Sequence, residues 1–316
     1  MRLTCALLLI LAFATSSRAD VTENWYPLPA ATNRFATDYR DYSRMLWAFD
    51  YGHGLTYEKM LRNAKLGRYD FVSIEGPLPA PFKSIVERIK GILASPPQQQ
   101  PAEEAVYPAF AAEFPWLRDL FSWSHKLHAV TYDVLATEPP ARARLIVDQQ
   151  LAVYRRLTAL SLPTVCKNMM VFMEGQPFSM RFRRSAPQAN GLIWSYHFYQ
   201  LSLYEGLLSP VGPERDARLA ETMRKFKLMA QDPVSRVPEM PMTRQVAPEF
   251  YKQYRDLAAI FDNLHELHDV IGDLLAADDE VYGGIERKKT ELNRVLREVL
   301  DDTTHVIDCD LNGHGE

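Results

Sequence analysis

The chain has 316 residues, 47% hydrophobic and 24% charged, with a formal net charge of −4. These proportions describe a globular protein and exclude a disordered tail or a collagen-like repeat. Near-balanced charge gives no basic stripe for nucleic acid, and no apolar run reaches the roughly 18–20 residues that a membrane span needs.

Residues 1–19 have the pattern of a secretory signal peptide: Arg2 in the n-region, an apolar stretch over 3–14, and small residues at Ser17 and Ala19. Cleavage is expected after Ala19, which sends the protein to the periplasm or the medium with no membrane span left behind. Loss of Arg2 and Arg18 leaves 34 basic against 40 acidic side chains, a net charge of −6. Loss of Cys5 leaves Cys166 and Cys309, whose pairing the sequence leaves open. The remaining chain is long enough to bury a full core without disulfide staples.

Residues 20–94 form a mixed N-terminal region. An aromatic lead (Trp25, Tyr26, Tyr39, Tyr42, Trp47) runs into a turn expected at Gly52-His53-Gly54. Helical patterning follows over 57–64, a short strand is expected over 70–74, and a further helix over 82–93. Residues 95–104 (SPPQQQPAEE) read as a linker, because prolines disfavour helix and the polar residues have nothing to bury.

From 105 to 302 the pattern is helical, with segments over 113–136, 139–160, 191–208, 213–231, 248–277 and 280–300. Residues 303–316 make an acidic tail. An all-α bundle of six to eight helices is expected, since amphipathic helices joined by short proline-rich turns bury their stripes on one another.

Two of these helices share a motif. Phe121, His125, Leu127, His128, Val130, Asp133 and Leu135 recur 140 positions later as Phe261, His265, Leu267, His268, Val270, Asp273 and Leu275. Chance placement of eight histidines gives roughly 0.2 His-x-x-His pairs, so two within matching flanks mark a duplicated hairpin or convergent use of one geometry. Residues i and i+3 share a helix face, so each helix presents two imidazoles together. If the helices pack face to face, His125, His128, His265 and His268 converge, joined by His197 from the aromatic helix over 191–208. That set predicts a site for a transition metal ion: copper, zinc or iron. Asp262 is a candidate further ligand, and Tyr132 and Glu205 are candidate partners behind the ligands.

Several chemistries lack their motifs. His265-Glu266-Leu267-His268 is one residue short of H-E-x-x-H, and no Glu-x-x-His, C-x-x-C-H, G-x-S-x-G or phosphate-cradling glycine loop occurs. Weaker features are Asp308, Asp310, Asn312 and Gly313, which open but do not complete an EF-hand loop, and His305, Cys309 and His314, a soft-metal set. The basic run 181–184 has the composition of a solvated loop, and Met169, Met170, Met173 and Met180 near Cys166 suggest copper(I) or core filling.

Two readings follow. The first is an exported helical metal-binding protein with a multi-histidine site, open to redox or oxygen chemistry if a coordination position stays free. The second is a non-catalytic helical envelope protein that binds a partner, its histidines structural.

Overall fold

A computed structural model describes residues 33–65, 80–100, 103–277 and 283–310. Among these residues the protein is all-helical, with one isolated bridge, Lys167 to Val306, as its β-type pairing. In chain order the helices are α1 (Arg34–Asp38), α2 (Arg40–Lys65), α3 (Ala80–Ala94), α4 (Glu103–Val106), α5 (Pro108–Glu113), α6 (Pro115–Thr137), α7 (Pro140–Tyr154) and α8 (Met169–Met173). They continue as α9 (Arg181–Ser185), α10 (Pro187–Leu207), α11 (Pro213–Gln231), α12 (Pro233–Arg236), α13 (Thr243–Val246), α14 (Pro248–Gln253), α15 (Arg255–Ala276) and α16 (Ile285–Leu300). Eight of these have 15 residues or more. No helix among the described residues is long and apolar enough to cross a membrane.

The prolines explain much of this segmentation. Pro108, Pro115, Pro140, Pro187, Pro213, Pro233 and Pro248 each open a helix, where a missing N–H loses no hydrogen bond and a fixed φ suits the first turn. The segment expected over 248–277 is accordingly two helices, broken at Tyr254 (φ −130°, ψ 52°). The 139–160 helix stops at Tyr154, so Leu157 and Leu160 lie in the turns beyond it. Gly52-His53-Gly54 is not a turn but the middle of α2. Gly54 is there for contact: a Cβ would lie 2.5 Å from the Tyr107 ring and 2.8 Å from Val106. Arg181 to Arg184 form a helix rather than a loop. The strand expected over 70–74 and the proposed leader lie outside the described residues.

Helices α10 and α15 form the centre. Every residue of α15 from 257 to 276 is buried, including Asp262, Glu266, Asp269 and Asp273. A helix buried on all sides is usually apolar throughout, so these polar groups need partners.

The 140-residue repeat is structural and larger than the motif. Helices α5–α6 match α14–α15, down to the junctions at Phe114 (−126°, 61°) and Tyr254 (−130°, 52°). A second register, offset by 147, matches α1–α2 to α9–α10: Arg34-Phe35 to Arg181-Phe182, Trp47 to Trp194, and Tyr57-Glu58 to Tyr204-Glu205. The two halves make the same bonds. Phe35 N–H donates to Asp133 at 3.0 Å and Phe182 N–H to Asp273 at 2.8 Å. Phe110 N–H donates to Glu58 and Phe250 N–H to Glu205, both at 3.0 Å. In each half one buried aspartate secures a short helix and one glutamate satisfies a proline-opened helix start.

Replacing Asp133 or Asp273 with Ala should cost about 1–3 kcal/mol in chemical denaturation, because a buried N–H loses its acceptor. Burial pushes the Asp273 carboxyl up to about 7, against the pull of the Phe182 and Met180 N–H donors. The folded state therefore keeps a proton that the unfolded chain has lost between about pH 4 and 7. Wild-type stability relative to Asp273→Asn should fall as pH rises through that window and level off above it; a gap that widens with pH contradicts this.

Candidate metal centre

Three helices bring three imidazoles together. His53 from α2, His197 from α10 and His268 from α15 each place a ring nitrogen within 4.8 Å of the others, and all three are buried. Ring centroids lie 4.4 Å apart for His53 and His268, 5.4 Å for His53 and His197, and 5.8 Å for His197 and His268. Ligands about 2.1 Å from one ion sit at most about 4.2 Å from each other, so closing the triad onto a metal needs ring movements below about 1 Å.

The remaining expected ligands surround this triad. His265 stacks on His197 at 4.0 Å and 8°, while His125 lies 6.0 Å from His268 and His128 lies 6.1 Å from His265. All five histidines expected as ligands thus fall in one cluster, with His197, His268 and His53, which is outside that expected set, in the tight group. Aromatic rings wall it in: Phe49 is 4.0 Å from His53, Phe121 is 4.7 Å from His268, and Phe261 is 3.7 Å from His128.

Hydrogen bonding sets His53 and His197 apart, since His128, His265 and His268 each leave one buried ring nitrogen unpartnered. His128 meets the Tyr204 hydroxyl at 2.5 Å through Nδ1, and His265 meets Gln200 Oε1 at 3.1 Å through Nε2. His53 and His197 have both ring nitrogens buried without a hydrogen-bond partner, and Nδ1 of His268 is likewise unpartnered. Such atoms are uncommon because each forfeits the hydration of a polar group. Burial, helped by neighbouring imidazoles, holds the pKa of His53, His128, His197 and His268 well below the ordinary histidine value. Burial first and His125 second bring His265 down to about 3. The rings are therefore neutral near pH 7, the form that offers a lone pair to a metal.

Other expected participants are elsewhere. Asp262 accepts the backbone N–H and hydroxyl of Thr243 at 2.9 and 2.7 Å, so it is not a ligand here; burial pushes it up to about 7. It lies on a stripe with Glu266, Asp269 and Asp273, a different face of α15 from His265 and His268. Glu205 accepts from Glu249 and Phe250 N–H rather than supporting His197. Tyr132 donates to the Gln200 carbonyl, and Tyr204 takes the place expected of it at His128. Cys166 and Cys309 form a disulfide, which removes the thiolate from both soft-metal sets considered above. Met170, Met173 and Met180 line an apolar cavity of about 150 Å³ with Met240, Met242 and the disulfide. Asp310 pairs with Arg255, while residues 311–316 lie outside the described chain.

From sequence, His53 between two glycines reads as an exposed residue that could be functional but has no partner; it is instead buried in α2. Its signal lies in the second register, where it aligns with Gln200 one helix turn before Tyr57 and Tyr204. The family models searched include none that matches the chain, and no curated protein or solved structure matches it.

His197→Leu separates a ligand-type from a structural imidazole. Removing two unpartnered buried nitrogens should leave the thermal midpoint of the metal-free protein equal or higher. A fall of several degrees would mean that His197 makes a stabilising interaction of its own.

Proposed function

We propose that this is an exported metal-binding protein whose ion is held by His53, His197 and His268. One observation carries the reading: His53 and His197 are buried with all four ring nitrogens lacking hydrogen-bond partners, within ligand reach of His268. By contrast, His128 and His265 each pair one ring nitrogen and leave the other unpartnered. One bound cation takes one nitrogen of each ring and so offsets half of the desolvation that burying the His53 and His197 nitrogens incurs.

Three imidazoles and no thiolate or carboxylate in the triad favour copper or zinc, since Asp262 and Glu205 are engaged elsewhere. Three protein ligands leave a fourth position for water or a small molecule, as in catalytic rather than closed structural sites. With copper that position supports redox or oxygen chemistry. His265 stacks on His197 and His125 lies beside His268, where they set ring orientation. The Cys166–Cys309 bridge supports export, because disulfides persist in oxidising compartments.

Mature protein treated with chelator, reloaded with copper(II) or zinc and freed of excess should retain about one ion per chain. His53→Ala together with His268→Ala should lower retention at least tenfold with helicity unchanged by circular dichroism. Wild-type protein that retains no ion would favour the partner-binding alternative.

A further inference from the structure

The two halves of the repeat differ around Trp47 and Trp194, and the difference opens a cleft. In the second half, Arg183 lays its guanidinium over Trp194 at 4.1 Å and donates to Asn190 at 3.0 Å. Trp194 Nε1 in turn donates to both carboxylate oxygens of Asp269, at 2.9 and 2.8 Å. These groups fill the space between α9, α10 and α15 and leave Trp194 buried. At the matching positions of the first half stand Ala36 for Arg183, Ser43 for Asn190 and Ala129 for Asp269. The shorter side chains cannot reach Trp47, which stays half-buried, and a cavity of about 50 Å³ lies between α1, α2 and α6.

That cavity lies beside the metal centre. Its walls include Ala36, Ser43, Ala129, Asp50, His125 and His128. A second space of about 20 Å³ shares Asp50 and His125 with it and touches His53 and His268 of the triad. The Asp50 and His125 side chains therefore stand between the two cavities. The volume suits a molecule of a few heavy atoms, since about 10–15 Å³ of such cavity space holds one water.

We propose that the cleft bounded by Ala36, Ser43 and Ala129 admits a small metal-coordinating molecule or anion to the fourth position of the histidine centre. Asp50 and His125 stand where it passes from the cleft to the triad. This inference rests on the metal reading above and deepens it: the plugged half keeps two of the three ligands, and the unplugged half provides access. The unequal repeat gives one centre, with access through its unplugged half.

Azide is the probe, because it has three atoms, binds copper(II) and gives a charge-transfer absorption on doing so. Copper-loaded full-length mature protein is titrated with azide alongside Ala129→Leu and Ala36→Leu, which restore bulk on opposite walls of the cleft. Copper content should stay near one per chain in both, while azide affinity falls at least tenfold. Should one variant fail to fold, the other carries the test. Equal azide affinity in a copper-loaded variant and wild type would overturn the inference, as would copper-loaded wild type that binds no azide. Wild type that holds no copper or zinc would remove the metal reading itself.

Discussion

The structure is organised around polar atoms buried without partners. Taking an imidazole out of water removes its hydration, and a fold tolerates that only where something else restores the interaction or function requires the loss. His53 and His197 each bury both ring nitrogens in this state, and three long helices contribute to the group they form with His268. Holding those rings in place requires α10 and α15 to run through the centre, and both are buried along nearly their whole length. The aromatic wall of Phe49, Phe121 and Phe261 keeps water from solvating the rings instead.

The repeat explains how one sequence reaches this arrangement. Each half secures its helices with the same aspartate and glutamate, so Asp133, Asp273, Glu58 and Glu205 are consumed in backbone bonding and are not available to a metal. Contacts between the halves are reciprocal in residue type: Tyr57 donates to the His268 carbonyl, and Tyr204 meets the His128 ring. Divergence is concentrated at the centre, where His53 stands for Gln200 and His197 for Asp50. A symmetric scaffold thus carries an asymmetric site, and the same divergence at Ala36, Ser43 and Ala129 opens one side of it.

What the sequence made legible follows from periodicity. The paired His-x-x-His motifs are local, so their shared helix faces could be read without coordinates, and the helical segments from 105 onward could be placed from their stripes. The placing of His53 could not be read, because Gly54 beside it serves close packing against Val106 and Tyr107, which lie far along the chain, and not a turn. Asp262 was misplaced because three residues on a helix give adjacency without fixing direction, and Thr243 draws its carboxylate away. The second register of the repeat rests on a few scattered identities that gain meaning only when the bonds of Glu58 and Glu205 are seen to coincide.

The central claim is that an ion sits among three imidazoles from separate helices. X-ray absorption at the metal edge of mature protein, isolated from an exporting host without added metal, tests it directly. The account expects a copper or zinc edge with about three nitrogen neighbours near 2.0–2.1 Å and the outer-shell scattering of imidazole rings. A spectrum dominated by sulfur or carboxylate oxygen, or protein that carries no transition metal, would contradict it.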